Sequence, residues 1–313
     1  MKLRAYLLML FVVAVWGSTF VVVKGALADA TPAAFNLVRM TLAFAVLGVA
    51  YHRYWREIRR WQVAAGALVG LCLAVGYQFQ TTGLARTTPS KSAFITGLMV
   101  VMVPLLSTIR GLRPPGSSVP RWNAFLGAAL AFIGIVLLTA PAAAQTSATF
   151  MGQTAHLLPD LASINLGDVL TLGCALGFAF HCLALSHVSP RISFQPLALM
   201  QVGFCALFMA LSLPLIERPH IVWTPKVIAA LAVCAVFSTA VAFSIQSWVQ
   251  SVLPPTHTAL LLTLEPVFAW ITSFLVMGER LGLRPASGAL LILAGIALTE
   301  LMPQPHLATA HEA

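Results

Sequence analysis

Two charged side chains lie inside long apolar stretches of the sequence. Glu265 lies in LLLTLEPVFAW, directly before Pro266, and Arg39 lies in NLVRMTLAF. In such surroundings a carboxyl group can bind and release a proton or pair with an amine, and a guanidinium can hold a carboxylate. Each residue also has a structural interpretation. A protonated Glu265 can bond to backbone carbonyls that Pro266 leaves free, and Arg39 can join two helices or extend its charged end toward water.

Further polar and aromatic side chains recur at helical spacing in other apolar runs. Tyr77 and Gln80 lie three residues apart, and a later run carries a stripe at i, i+4, i+7 and i+11 formed by Thr239, Phe243, Gln246 and Gln250. Residues at these spacings share one face of a helix. The candidate cavity residues are Trp16, Ser18, Asn36, Arg39, Tyr77, Gln80, His181, Phe243, Gln246 and Glu265. The alternative is that these side chains pack helices together and hydrogen-bond between them.

Two of these candidates carry a more specific expectation. Arg39 needs a partner, and Glu265 is one candidate for it. Glu265 lies about ten residues into its apolar run and shares a seven-residue stripe with Thr258 and Thr272. Asp168, by contrast, opens an apolar run and is interpreted as a helix cap, because an acid complements a helix N-terminus.

Recognisable catalytic and metal-binding patterns are missing from the sequence. It contains no His-Glu-x-x-His, no Gly-x-Ser-x-Gly and no Gly-rich phosphate loop. The five cysteines lie inside apolar runs, at an odd count and without metal-ligand spacing. We therefore expect neither an enzyme nor a bound cofactor or metal.

The composition excludes a soluble globule. Hydrophobic residues make up 59% of the 313 residues and charged residues only 9%, and the mean hydropathy is +0.90. Soluble domains contain about 25% charged residues to face water. The net charge of +9 is spread over the ends of apolar runs, a placement that sets membrane orientation rather than binding nucleic acid. The chain is predicted to be a polytopic membrane protein.

Ten apolar runs are long enough to cross a bilayer, which takes about 20 helical residues. They are 5–24, 32–51, 63–84, 92–112, 122–140, 167–187, 194–216, 225–248, 256–277 and 285–302. The fifth and tenth carry almost no polar side chains, so we expect them to face lipid as braces while the other eight surround a cavity.

The two halves of the chain repeat one another. Residue pairs that recur at an offset of 161–166 are Gly127 with Gly288, Gly134 with Gly295, Pro89 with Pro254, Pro32 with Pro196 and Val38 with Val202. Five spans is an odd number, so the second half must be inverted relative to the first. Inverted repeats are typical of secondary transporters, which place their substrate near the midplane between the halves.

The predicted organisation is therefore an all-α polytopic membrane protein with two inverted five-helix repeats. Residues 1–140 form the first repeat, 141–166 a polar extracytoplasmic connection, 167–303 the second repeat and 304–313 a short tail. Basic residues of the first half favour cytoplasmic termini. The second half disagrees, because this orientation places most of its basic residues outside, among them Arg218, Lys226, Arg280 and Arg284.

Several segments resemble the EamA-type proteins of the drug/metabolite transporter superfamily. They are WGSTFVVVK at 16–24, QTTGLARTTPSKSAFITGL at 80–98, LGDVLTLGCALGFAFH at 166–181 and ALLLTLEPVFAWITSFLVMGERL at 259–281. The first repeat departs from the family pattern, since TIRGLRPP stands where a Gly-Glu pair is usual, whereas the second repeat keeps Gly278-Glu279. The resemblance implies an inner-membrane carrier of small metabolites, often an exporter, without specifying the substrate.

Arg39 is the only cation deep in a span, so a doubly charged phosphate ester would be poorly matched. We therefore expect a small zwitterionic or neutral substrate, amino-acid-like or drug-like, exported across the bacterial inner membrane with protons as the candidate coupling ion. The main alternatives are a passive facilitator and a non-transporting membrane protein. Weaker alternatives are a sugar-phosphate or nucleotide-sugar carrier and an intramembrane enzyme. The expected partners are the substrate and the lipid bilayer, without nucleic acid, and the oligomeric state is open.

Overall fold

A computed structural model describes residues 2–113, 122–139, 147–150, 153–156, 164–252 and 261–301. Before the central connection the helices are α1 (Lys2–Ala26), α2 (Pro32–Ala50), α3 (Arg60–Leu84), α4 (Pro89–Thr96), α5 (Met99–Leu106) and α6 (Trp122–Thr139). After it they are α7 (Leu166–Val188), α8 (Phe194–Ile216), α9 (Pro225–Ala235), α10 (Ala242–Val252), α11 (Glu265–Met277) and α12 (Leu283–Leu301). The all-α fold predicted from the sequence is confirmed.

Proline starts several of these helices. Pro32, Pro89 and Pro225 each occupy the first turn, directly after a threonine. This position suits proline, because its missing N–H would have no partner within the helix. The hydroxyls of Thr88 and Thr224 accept a hydrogen bond from a backbone N–H of the first turn and so complete the helix end.

Eight segments in the described part of the chain are long and apolar enough to cross a membrane, with α4 and α5 together forming one of them. The later apolar helices α11 and α12 are shorter. Within the predicted connection, two short strands, β1 (Ser147–Phe150) and β2 (Gln153–His156), pair antiparallel, with Ser147 opposite His156.

The predicted ninth span is not one continuous helix. Residues 261–262 are helical, a turn follows at 263–264, and α11 begins at Glu265. Glu265 is therefore the first residue of a helix rather than a residue well inside one. The physical reason is Pro266, which lacks a backbone N–H and is accommodated in a first turn but not in a helix interior.

A matching break separates α4 from α5 in the first half. Gly97 and Leu98 lie between them, and the N–H of Leu98 donates to the carbonyl of Ile95, a tighter turn than the α-helical one. The two breaks meet in space: a Cβ added to Gly97 would lie 3.2 Å from Cγ of Pro266. Paired interruptions of this kind, at corresponding positions of two halves, are typical of transporter binding sites.

A third irregularity in the predicted spans lies between α9 and α10. Residues Val236–Val241 form a π-helical turn, in which the hydroxyl of Thr239 donates to the carbonyl of Cys234, five residues earlier, at 2.8 Å. The extra residue in the turn rotates the following helix face relative to a regular α-helix. The prediction that Thr239 continues the regular α-helical stripe of Phe243 and Gln246 is therefore wrong, because Thr239 lies in the π turn.

Helices α6 and α12 pack closely along their glycines. A Cβ on Gly134 would lie 2.6 Å from the carbonyl oxygen of Gly288, and one on Gly127 would lie 2.5 Å from that of Gly295. The contacts are crossed relative to the repeat: each glycine of α6 faces the repeat partner of the other one, so the two helices run antiparallel. Outward-facing side chains such as Phe132 and Leu290 are largely exposed, as expected for helices that face lipid.

Replacing Gly134 by alanine should destabilise the protein, because the new methyl group meets a backbone oxygen that cannot move aside. We expect a loss of about 1–3 kcal/mol, the usual cost of overpacking, seen as a lower thermal midpoint in detergent. Gly111→Ala is the matched control, since a Cβ there meets nothing within 4 Å. Equal midpoints for the two variants would contradict the close packing of α6 on α12.

Candidate functional site

A cavity lies among the helices of both halves. Its empty space is about 700 Å³, including the part open to solvent, and its lining comes from α1 to α5, α7, the π turn, α10 and α11. Within the described residues, α6, α8 and α12 contribute nothing to the lining. Eight of the ten candidate residues line it: Trp16, Arg39, Tyr77, Gln80, His181, Phe243, Gln246 and Glu265.

Arg39 is a buried cation with neutral partners. Its side chain on α2 is 3% exposed, and its Nε donates to Oγ1 of Thr239 at 2.9 Å. Its Nη2 donates to Oγ of Ser238 at 2.9 Å and to the hydroxyl of Tyr77 at 3.2 Å, and the guanidinium carbon lies 4.6 Å from the Tyr77 ring centroid. These groups solvate the charge without neutralising it.

The π turn supplies most of this solvation. Besides the contacts to Arg39, the carbonyl of Ser238 accepts a hydrogen bond from Nε1 of Trp16 at 2.8 Å, and its hydroxyl lies 3.5 Å from that of Thr19. This irregular turn of the eighth predicted span therefore contacts both α1 and α2 at the cavity wall. Ser238 is a lining residue that sequence reasoning missed, because a regular helical stripe through Thr239 does not include it.

Glu265 lines the cavity from the first position of α11. Among the residues that the structure describes, its carboxyl group has no hydrogen-bond or ion-pair partner. Helix α1 packs closely against the start of α11, since a Cβ on Gly17 would lie 2.6 Å from the backbone oxygen of Glu265. The position also places the carboxylate at the positive end of the α11 dipole, which favours a negative charge.

Arg39 and Glu265 do not pair with each other. The salt bridge found in the described part of the chain joins Lys91 and Asp168, at 3.8 Å. The expectation that Glu265 serves as the partner of Arg39 is therefore wrong. The reason is that the hydroxyl groups of Thr239, Ser238 and Tyr77 already solvate Arg39.

The remaining wall is mainly aromatic and amide. The ring centroids of Trp16 and Phe243 lie 5.7 Å apart, and those of Tyr77 and Phe178 lie 5.2 Å apart in an edge-to-face arrangement. His181 lies beside Phe243, with a centroid distance of 6.2 Å, and its Nε2 is 2.9 Å from Oε1 of Gln201 on α8.

Two amides also reach the cavity, from opposite repeats. Gln80 on α3 and Gln246 on α10 both line it. Oε1 of Gln246 is buried and has no hydrogen-bond partner within the described residues. A buried acceptor without a partner is costly, so this oxygen is suited to accept a hydrogen bond from a bound molecule.

Ser18 and Asn36 lie outside the cavity lining and join helices instead. Ser18 Oγ is 3.2 Å from Oγ1 of Thr272 on α11. The buried Asn36 amide donates to the Tyr77 carbonyl at 3.0 Å and to Gln78 Oε1 at 2.9 Å, and it accepts from Thr81 Oγ1 at 2.9 Å. Asn36 thereby fixes α3, and with it Tyr77, against α2.

Other lining residues were also missed by sequence reasoning. They include Thr19, Phe20, Thr96, Met99, Phe178 and Cys182. Of these, Phe178 had a signal in the sequence, because it corresponds to Trp16 at the offset between the two halves. The others are ordinary membrane-helix residues, and only the relative rotation of neighbouring helices decides that they face the cavity.

Comparison with known proteins gives a consistent result over the whole chain. The model of the EamA-like transporter family matches residues 3–140 and 165–301. An uncharacterized transporter of Archaeoglobus fulgidus is 30% identical over 300 residues, covering 96% of this chain and 87% of that protein. A second uncharacterized transporter of the same organism is 22% identical over 306 residues, covering 96% and 98%.

The fold is also similar to that of a solved crystal structure. The two chains superpose with a TM-score of 0.62 at 18% identity, and the match covers 96% of this chain and 98% of the other. At this identity the likeness concerns the fold alone.

Replacing Asn36 by leucine should lower stability without removing a cavity-lining group. The substitution leaves Thr81 and Gln78 without their buried partner, which costs about 1–3 kcal/mol per unsatisfied group. We expect a clearly lower unfolding midpoint in mixed micelles. Ser18→Ala is the comparison, because it removes a single hydroxyl contact, and an Asn36→Leu midpoint as high as that of Ser18→Ala would contradict the bracing role.

Proposed function

The chain belongs to the EamA-like transporter family, and we propose that it moves small zwitterionic or neutral metabolites across the membrane as a secondary transporter. Family membership and the apolar helices make it a multi-pass membrane transporter. The substrate class, the direction and the coupling ion are our proposal.

The observation that supports the proposal is the presence of an unpaired guanidinium and an unpaired carboxyl group in one cavity. Arg39 is held by neutral hydroxyls, and Glu265 has no partner among the described residues. A zwitterion complements this pair, with its carboxylate toward Arg39 and its ammonium group toward Glu265. Each new contact would be charge-assisted, the stronger class of hydrogen bond.

The rest of the lining supports a substrate with a modest apolar or aromatic part. Trp16, Phe178 and Phe243 offer ring faces and edges, while Gln80 and Gln246 offer amides. Among the described lining residues Arg39 is the one basic side chain with a permanent charge. A doubly charged phosphate ester would find a single cation and a repelling carboxylate, so we do not favour sugar phosphates or nucleotide sugars.

The proposed mechanism is alternating access, with the two halves changing their mutual arrangement around the cavity. The paired breaks at Gly97 and Glu265 place movable backbone next to the charged groups, where small rotations change the lining. Protonation of Glu265 neutralises the cavity carboxylate and so favours one of the two states. We further propose export from the cytoplasm of a bacterium, with the protein in the inner membrane and both termini cytoplasmic.

Transport should be measured in proteoliposomes loaded with mixed amino acids and small metabolites. Mass spectrometry would follow their efflux with and without an imposed pH gradient. We expect selective loss of a zwitterionic or neutral class, accelerated by the gradient. Efflux of that class without a gradient effect would indicate a passive facilitator. Selective loss of phosphorylated sugars would overturn the proposed substrate class.

Arg39→Gln should weaken the apparent affinity for the transported zwitterion by about tenfold or more, the effect of losing one charge-assisted hydrogen bond. Arg53→Gln is the matched control, because Arg53 is exposed outside the cavity and should leave affinity unchanged. Concentration-dependent uptake by both variants checks this. An unchanged affinity in folded Arg39→Gln protein would remove Arg39 from the substrate site.

Glu265→Gln should abolish the response to a pH gradient and weaken substrate counterflow without abolishing it, because the amide oxygen can still accept a hydrogen bond from the ammonium group but the amide cannot carry a proton. The measurement is gradient-driven uptake against exchange at equal pH. Glu217→Gln provides the control, since Glu217 accepts a hydrogen bond from the Ala34 N–H outside the cavity lining. Complete loss of counterflow together with the gradient response would instead make Glu265 a structural residue, and an unchanged gradient response would remove it from proton coupling.

A further inference from the structure

Charged side chains from other parts of the chain contact the end of α3 and the start of α4, on either side of the loop between them. Lys24 Nζ, near the end of α1, donates to the carbonyls of Leu84 and Ala85 at 2.9 and 3.1 Å. The carboxylate of Glu279, just after α11, accepts from the N–H and the hydroxyl of Ser90 at 3.3 and 2.7 Å. Four helices that line the cavity therefore meet at this end.

Each charge matches the helix end that it contacts. The ammonium group of Lys24 meets the last carbonyls of α3, where the helix dipole is negative, and the Glu279 carboxylate meets the first turn of α4, where it is positive. The two side chains also attract each other. Glu279 is oriented from its own side by Gly278, whose φ of 68° turns the chain sharply, and by the Ser273 hydroxyl at 2.5 Å.

Helix α7 holds the same loop from a third side. The carboxylate of Asp168 accepts from the Thr87 hydroxyl and pairs with Lys91. Asp168 lies in the first turn of α7, where an acid complements the helix N-terminus as predicted, but its side chain makes interhelical contacts and does not cap the helix. Asn165 is the cap, since its Oδ1 accepts from the Gly167 N–H at 2.7 Å, while its Nδ2 donates to the Arg86 carbonyl at 2.7 Å.

An apolar layer lies directly beneath these polar contacts. Phe20, Val23 and Leu84 line the cavity, and they pack in one buried cluster that also contains Ala93 of α4 and Ala269 of α11. Val23 precedes Lys24, and the carbonyl of Leu84 is one of its acceptors. The cavity is thus closed at this end first by apolar packing and then by the polar contacts.

The repeat-related positions at the opposite end of the bundle lack the corresponding charges. By the repeat relationship Gly111 corresponds to Gly278, which places Leu112 at the position of Glu279, and Ser186 at that of Lys24. Arg113 does not replace them, because its guanidinium donates to the carbonyls of Ser107 and Thr108, a few residues earlier in the same segment.

We propose that Lys24, Ser90 and Glu279 form a clasp that holds this end of the cavity closed at rest and opens once in each transport cycle. The asymmetry between the repeats then biases the resting protein toward the state in which the clasp is shut. This inference rests on the proposed transport function for its role, but the closure is a property of the empty protein. It can therefore be tested without substrate or gradient.

Cys182 can report whether reagents reach the cavity from the clasp end. It lines the cavity, and the apolar layer separates it from the clasp. The other four cysteines would be replaced by alanine, and labelling of Cys182 by a membrane-impermeant maleimide would be timed in sealed proteoliposomes. A parallel His220→Cys protein measures orientation in the vesicles. His220 is exposed at the clasp end, so its labelling gives the fraction of molecules whose clasp end faces outward, toward the reagent. We expect Glu279→Gln to speed labelling from the clasp side by about tenfold, the shift that loss of a charge-assisted hydrogen bond produces.

Glu217→Gln is the matched control, because that carboxylate also accepts from a helix N-terminus, that of α2, but away from the cavity lining. It should label like the parent. The double exchange Lys24→Glu with Glu279→Lys separates attraction from capping: it keeps the opposite charges but sets each against the wrong helix dipole, so it should label as fast as Glu279→Gln.

If folded, monodisperse Glu279→Gln protein is labelled at the parental rate, the clasp is overturned. If the exchanged pair is labelled at the parental rate, the helix-capping argument is overturned. Failure of transport in the parent would leave these rates unchanged and would bear on the proposed function alone. Lys24→Met offers a second removal of the clasp, from α1, and should also accelerate labelling from the same side.

Discussion

A permanently charged guanidinium in a nearly inaccessible site is the constraint on which this structure depends. Arg39 cannot lose its proton, so its charge must be solvated by the protein or neutralised by a counter-ion. The protein uses hydroxyls and a ring face from Ser238, Thr239 and Tyr77. This choice fixes three helices around one point and keeps the positive charge available to the cavity.

Meeting that demand requires departures from regular helix geometry. The π turn at Val236–Val241 presents two consecutive hydroxyls to Arg39, which a regular helix would point in different directions. The breaks at Gly97 and before Glu265 lie at corresponding places in the two halves and touch each other. Irregular backbone within a membrane is tolerated where protein or a water-filled cavity satisfies it, so these departures mark the cavity region.

The remainder of the bundle is built from close backbone approach. Reciprocal glycine contacts hold α6 on α12, and neither helix lines the cavity in the described part of the chain. Without a hydrophobic effect to drive helices together in lipid, small residues allow the van der Waals contact that does so. The protein thus combines a tightly packed brace with a cavity region whose contacts are polar, specific and divided between the two ends.

The sequence by itself determined the membrane character, the helical segments, the two related halves and the residue types at the site, because hydropathy and repeat spacing are local properties. It also placed Arg39 and Glu265 among the candidates. It did not determine that they stay unpaired, that Ser18 and Asn36 brace helices, or that Ser238 and Cys182 line the cavity. Those outcomes depend on the rotation of one helix against the next and on the position of a break or a π turn. Only the tertiary structure decides them, because many rotations bury the same apolar surface and the rotation adopted is selected by side-chain contacts between distant parts of the chain.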